Sequence, residues 1–330
     1  MFNYIIKRIA VMIPTLLVIS MISFAVIQLP PGDYLSSYVA QLRMEGDMVD
    51  QDEIAQLEKR YGLGQPVYVQ YYKWISGIVL RNDWGQSMEW QKPVQDLIGE
   101  RIALTIFLSS ISILVSWLVA IPVGVYSATH QYSVLDYVFS AISFIGVGTP
   151  GFMIALLIMW FAMTQLGLNV GGLFSQEYMV APWSWAKFVD LLKHIWIPMV
   201  VIALGSTAGS IRTTRANVLD ELNKPYVETA RAKGKKEDKL VWKYPVRVAM
   251  NPFFSTVGWT LASLISGQTI VAVVLGLQTT GPMMLRALTS QDMYLAGSFL
   301  LLLSLLTVIG TLISDILLAW VDPRIRMGSR

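Results

Sequence analysis

Apolar residues run along this chain in long unbroken stretches. They do not follow the alternation of a half-buried strand or the narrow stripe of a surface helix. Six stretches approach the roughly 20 residues that a helix needs to cross a hydrocarbon core: 9–29, 102–128, 136–165, 195–211, 254–276 and 294–319. The fourth is the shortest and is expected to borrow residues from its flanks. A closed barrel would alternate apolar and polar positions along each strand. Runs such as Phe299-Leu-Leu-Leu-Leu-Ser-Leu-Leu306 are continuous instead, so the pattern predicts helices. The expected fold class is an all-α integral membrane protein with six transmembrane helices. Its domains are read as an N-terminal segment with the first span (1–29), an extracytoplasmic insertion (30–101) and a transmembrane core (102–330) containing a long loop at 212–252.

Composition agrees with that class. Of 330 residues, 54% are hydrophobic and 14% charged, with a mean hydropathy of +0.53. Soluble domains carry about 25% charged residues. A formal net charge of +3 is too small for a nucleic-acid partner, so the basic residues read as orientation signals and contacts to lipid. There is no cysteine, and the two histidines, His130 and His194, are far apart, so no metal site is expected. Lys7 and Arg8 precede an apolar run that is too long for the core of a signal peptide and lacks a small-x-small cleavage site. The run is therefore read as an uncleaved first span.

Charge asymmetry sets the orientation. With a cytoplasmic start, the inside segments are 1–8, 129–135, 212–253 and the tail 322–330, which holds Arg324, Arg326 and Arg330. The short outside loops hold only Lys187, Lys193 and Arg286 as basic residues, so both termini are expected in the cytoplasm. The insertion at 30–101 is too long for a simple connector. Gln51–Tyr61 places Ile54, Leu57 and Tyr61 on one helical face. After Pro66, the residues Val67, Tyr71, Trp74, Ile75 and Ile78 do the same. This insertion reads either as a cap packed on the outer ends of the spans or as a docking surface for an external receptor. The two are compatible.

Several spans contain helix breakers: Pro14, Pro122, Pro198, and Pro150 with Gly146, Gly148 and Gly151. Inside a membrane such breaks persist where protein or a water-filled cavity satisfies the freed backbone groups. Gly148 and Pro150 are therefore candidates for a path-lining or hinge element, against the alternative of close helix packing through small residues. Asp136 and Asp315 lie near the inner ends of their helices, where capping or snorkelling is the expected role, against the functional role that an acid within a span suggests by default.

The loop at 212–252 carries Arg212, Arg215, Lys224, Arg231, Lys233, Lys235, Lys236, Lys239, Lys243 and Arg247. Its middle has the marks of a short helix. Asn223 suits an N-cap, Pro225 suits the first turn, and Gly234 suits a left-handed terminator. A second helical stretch, 237–248, is expected to kink at Pro245. The small Ala230 and Gly234 would allow close approach of another protein, and Glu228 offers a fixed charge. A basic helix resting on anionic lipid is the plainer alternative.

Tyr226-Val-Glu-Thr-Ala-Arg-Ala-Lys-Gly234 resembles the Glu-Ala-Ala loop of ABC importer permeases, in the form found in the oligopeptide/dipeptide permease family. Pro31-Gly-Asp33, Tyr61-Gly-Leu-Gly-Gln-Pro66, Gln70-Tyr71, Arg212-Thr-Thr-Arg215 and Asp322-Pro-Arg-Ile-Arg326 extend the resemblance over nearly the whole chain, to the first of the two permease subunits. The resemblance implies a type I importer fold and a transport subunit rather than an enzyme, moving peptides or a related small solute. It also implies a second homologous permease subunit, two cytoplasmic ATP-binding subunits that carry ATP and Mg, and an extracytoplasmic solute-binding protein. Tyr226, Glu228, Thr229, Ala230, Arg231, Lys233 and Gly234 become the ATPase-coupling residues. In span five the family's Glu-Thr is replaced by Gln268-Thr269, which makes Gln268 a candidate path residue and removes an acidic group.

No nucleotide site is expected on this chain, because Gly234-Lys235 is followed by Lys236 rather than a hydroxyl residue. No nucleophile or paired acid has catalytic spacing. A secondary transporter driven by an ion gradient is the alternative. It would call for inverted repeats and midplane acids, and neither stands out.

Overall fold

The computed structural model describes residues 2–28, 65–87, 89–167, 171–179 and 181–321. The expectations for Pro31-Gly-Asp33, for a helix at Gln51–Tyr61 and for the tail motif after Asp322 lie outside the described residues.

The described residues are helical, with one isolated bridge between Gln86 and Pro93 and no longer strand. Among the described residues, four helices are long and apolar enough to span a bilayer: α1 (Phe2–Gln28), α3 (Val94–Thr129), α7 (Trp185–Leu222) and α14 (Met293–Val321). The fourth predicted span does borrow from both flanks, since α7 covers 38 residues. One consequence corrects the loop boundary. Arg212–Leu222 continues the helix, with Thr214 and Val218 fully buried on its inner face, so the connector begins at Asn223.

The third and fifth predicted spans are broken. α4 (Val134–Gly148) and α5 (Gly151–Gln165) meet at 108°. Thr149 is extended, at φ −100° and ψ 128°, as a residue before proline prefers, and Pro150 has no amide hydrogen to carry the helix on. Pro14, Pro122 and Pro198 lie inside continuous helices, so proline alone is not sufficient. Pro150 differs in having Gly148 and Gly151 beside it. The fifth stretch is α11 (Asn251–Gly267) followed by α12 (Thr269–Val274), interrupted at Gln268.

The chain divides into two compact units. One comprises the described residues up to Leu104 from Ile6, with Thr279–Val308. There α2 (Val67–Arg81) lies on α1: Phe24 meets the Tyr71 and Trp74 rings at centroid distances of 5.6 and 5.5 Å, and the Ser20 and Tyr71 hydroxyls are 2.7 Å apart. This is the predicted inward face, except that Val67, which opens the helix, stays exposed. A helix α13 (Thr280–Thr289) precedes α14. Asp292 is fully buried. It accepts the Ser87 hydroxyl at 2.5 Å and the Leu295 amide at 3.3 Å, so it ties the 82–93 segment to the start of α14.

The other unit holds Thr105–Gln278 and the described residues from Ile309. In it α4 and α5 pack on α7, and α12 packs on α5. Gly146 serves packing: a Cβ there would lie 2.8 Å from the Ala208 Cβ. The segment before α7 includes the short α6 (Gln176–Met179). It is pinned by Asp190, which accepts the Ser175 amide at 2.7 Å and hydroxyl at 2.6 Å, and by Lys187, which donates to the Ala181 carbonyl at 2.6 Å.

Candidate functional site

The connector after α7 folds into three short helices: α8 (Pro225–Ala232), α9 (Glu237–Lys243) and α10 (Pro245–Ala249). Pro225 occupies the first turn of α8 as expected. The N-cap is Lys224 and not Asn223, whose side chain turns back to donate to the Leu219 carbonyl at 3.2 Å and closes α7 instead. Gly234 ends the helix at φ +74°, a conformation that costs other L-residues about 1–2 kcal/mol. Tyr244, at φ −115° and ψ −73°, separates α9 from α10 just before Pro245, so the expected kink is a full break.

α8 has two faces. Val227 and Ala230, three positions apart, point inward. Val227 is 0% and Ala230 6% exposed, in a core with Val125, Ala128, Val218, Leu240, Val241 and Val246. Burying an aliphatic side chain of this size stabilises by about 1.5–3 kcal/mol. The expectation that Ala230 opens the surface to a partner is therefore corrected: its small size lets α8 approach its own core. The outer face presents Tyr226, Glu228, Thr229, Arg231 and Lys233, with Gly234 beyond. Among the described residues a Cβ at Gly234 would meet nothing within 4 Å.

Local bonds fix the outer residues. The Tyr226 hydroxyl donates to the Glu221 carboxylate, and Thr229 donates to the Pro225 carbonyl at 2.8 Å. Arg231 grips Glu237 with two bonds, of 3.1 and 2.6 Å. Burial and the Glu221 carboxylate push the Tyr226 phenol up, so it stays a neutral donor. The Arg231 guanidinium holds the Glu237 carboxyl below the usual carboxylate range, and the Lys235 ammonium beside Tyr244 lowers that phenol. The remaining exposed charges of the connector are mainly lysines, so its surface is basic.

Of the residues proposed for a path or hinge, Gly148 and Pro150 lie at the α4–α5 break and are exposed, and Gln268 lies at the α11–α12 break. The structure brings the two breaks near each other: a Cβ at Gly151 would meet Val271 Cγ2 at 3.5 Å. The sequence reading missed a groove of about 370 Å³ between α3, α7 and α11. Hydroxyls of Ser116, Ser206, Ser210, Thr213 and Thr256 line it, over Gly205 and Gly209, with Trp117 and Phe253 as aromatic walls. Ser116 is 1% exposed, and its hydroxyl has no hydrogen-bond partner among the described residues. The signal was present: Gly205, Ser206, Gly209, Ser210 and Thr213 recur at helical spacing on one face of α7.

Long apolar helices, two broken spans, a groove between α3, α7 and α11 that hydroxyls help to line, and a sealed helix with a bare outer face fit a membrane transport subunit. The chain belongs to the family described as binding-protein-dependent transport system inner membrane component, whose profile matches residues 120–327. The profile of that family's N-terminal membrane component matches residues 1–109. The chain is 34% identical over 326 residues to the oligopeptide transport system permease protein AppB of Bacillus subtilis (strain 168), covering 98% of each chain. It is 30% identical to the inner membrane ABC transporter permease protein YejB of Escherichia coli O157:H7, covering 99% of each. Its fold is like that of a chain in an inward-facing structure of the MetNI methionine ABC transporter, with a TM-score of 0.52 at 17% identity over 68% of this chain and 96% of that one. The protein is thus a multi-pass ABC importer permease subunit, and the ion-gradient alternative falls away.

Proposed function

We propose that this chain forms half of a translocation path for peptides or a related small solute, beside a second homologous permease subunit. Two cytoplasmic ATP-binding subunits hold ATP and Mg and hydrolyse the nucleotide. An extracytoplasmic binding protein delivers the solute. The basic side, carrying the α3–α4 turn, the 223–250 connector and both termini, faces the cytoplasm. The peptide assignment rests on the names of the relatives together with a groove that presents hydroxyls rather than charges, a lining suited to amide groups of varied peptides. The groove supplies path residues, and the paired breaks at Gly148–Pro150 and Gln268 act as the hinge.

One observation carries the coupling role of α8. Its inner face is locked into the core, so force applied to its outer face passes directly to α7 and α3. Reversing a 1:99 bias between two states takes about 5.5 kcal/mol of differential binding, and a loosely attached helix would dissipate it. Tyr226, Glu228, Thr229, Arg231, Lys233 and Gly234 make the contact, and Ala230 seats the helix.

Gly234→Asp tests this. Among the described residues nothing lies within 4 Å of a Cβ at this position, and the backbone strain is about 1–2 kcal/mol. The variant is expected to insert and unfold thermally much like the parent. ATP-dependent peptide uptake by the reconstituted complex should be lost, because the new carboxylate meets whatever approaches Gly234 from outside. Gly234→Asn, with the same backbone demand and no charge, should retain more uptake. Parental uptake by the aspartate variant would remove the proposal.

A further inference from the structure

We propose that the recess between α4 and α7 binds the phosphate of an anionic phospholipid headgroup through Arg212 and Arg215. The recess has a volume of about 550 Å³, and Ser140, Phe144, Val147, Arg212, Thr213 and Arg215 are among its walls. Both arginines are among its lining residues, and among the described residues no acidic residue is. Arg215 spends Nε and Nη2 on Asp136, at 2.9 and 3.0 Å, which leaves Nη1 for a ligand. The Arg212 side chain makes no hydrogen bond among the described residues, and its guanidinium lies 4.5 Å from the Phe144 ring centroid. The ring holds the cation in place without using its donors. Guanidinium forks of this kind match phosphate oxygens in geometry and charge.

Depth argues for a lipid as the source of the phosphate. Asp136 lies three residues beyond the turn that ends at Ser133, so its pair with Arg215 marks the end of the span. Arg212 sits three residues further in along α7, about 4.5 Å at 1.5 Å per residue. Headgroup phosphates meet acyl chains at that level. The α4 surface next to the recess exposes Ile142, Ile145 and Val147, an apolar wall along which acyl chains can lie. Basic pockets between spans on the cytoplasmic side suit such headgroups, and each basic residue contributes about 1 kcal/mol there. The inference requires only that the chain spans a membrane and is independent of its transport cycle.

Native mass spectrometry of the full chain, purified in an uncharged detergent, provides the test. The probes are dioleoylphosphatidylglycerol, dioleoylphosphatidylcholine and glycerol 3-phosphate. The expected result is that phosphatidylglycerol binds more tightly than phosphatidylcholine and that glycerol 3-phosphate does not displace it. Arg212→Gln should weaken phosphatidylglycerol binding about fivefold, and Arg212→Lys should weaken it less. Equal binding of the two lipids by the parent chain would overturn the proposal, and that comparison needs no variant to fold. So would displacement by glycerol 3-phosphate, which would mark a site for a free anion. Unchanged lipid binding in Arg212→Gln, with loss of a co-purifying subunit, would assign the arginine to a protein partner instead.

Discussion

Two arginine–carboxylate pairs in this chain have nearly the same fork and different surroundings. Arg215 reaches Asp136 with bonds of 2.9 and 3.0 Å, and Arg231 reaches Glu237 with bonds of 3.1 and 2.6 Å. The Asp136 side chain is 4% exposed and the Glu237 side chain 55%. Asp136 also accepts the Tyr132 amide at 3.0 Å, so the pair fixes the α3–α4 turn as well as joining α4 to α7. Arg231–Glu237 only folds the Gly234 turn back on itself. Geometry is shared, so the difference in consequence comes from water. Removing one partner from a buried pair strands a charge, whereas an exposed charge is simply rehydrated.

The largest effect is therefore expected at the inner pair. Arg215→Ala should destabilise the protein by about 3 kcal/mol, at the low end for buried pairs because Arg215 itself keeps 30% of its side-chain surface. Thermal unfolding in detergent measures this. The double variant with Asp136→Ala should recover much of the loss, since the stranded carboxylate is then gone. If the double variant is as unstable as the sum of the single ones, the pair acts through packing and the contrast with the outer pair fails.

A smaller effect is expected where α3 meets α7 beside that pair. A Cβ at Gly124 would lie 2.5 Å from the Thr214 Cβ and 2.9 Å from the Ile211 carbonyl oxygen. Gly124→Val must push α3 and α7 apart, at a cost of about 1–3 kcal/mol. Because Thr214 neighbours Arg215, this variant should also make the Arg215→Ala loss smaller than it is in the parent. Full additivity of the two changes would mean that the inner pair does not depend on the seating of α7.

How much of this was legible in the sequence depends on which force set each feature. Lipid leaves a helix few alternatives, so the continuous spans followed from hydropathy. The break at Thr149–Pro150 was readable as a weak point, but its 108° angle was not, because Pro122 and Pro198 show no such interruption. Gly234 was readable from its conformation alone. The inward turn of Ala230 was not credited, although its spacing from Val227 shows it. Asn223 misled because side-chain caps compete: its amide found the end of α7 before the start of α8. Charge also misled, since Arg212 and Arg215 looked like loop residues and lie within α7, where packing of Thr214 and Val218 outweighs the helix's local polarity. The Asp136–Arg215 pair joins residues 79 apart in sequence, and no local pattern reports it.

The smallest effect is expected at the outer pair, and acid exposes it. Arg231 holds the Glu237 carboxyl below its ordinary range of about 4.3. A group whose folded value is depressed contributes stability above its unfolded value and loses it as pH falls through the folded one. The contribution should thus be complete at neutral pH and disappear only below about pH 4. Arg231→Gln should move the Glu237 titration upward, read from the carbon-13 shift of its carboxyl. Thermal unfolding at pH 7 should stay within replicate scatter of the parent, because solvent screens both groups. A clear loss of stability at pH 7 would show that the Gly234 turn relies on this contact, and that exposure is then not what separates the two pairs.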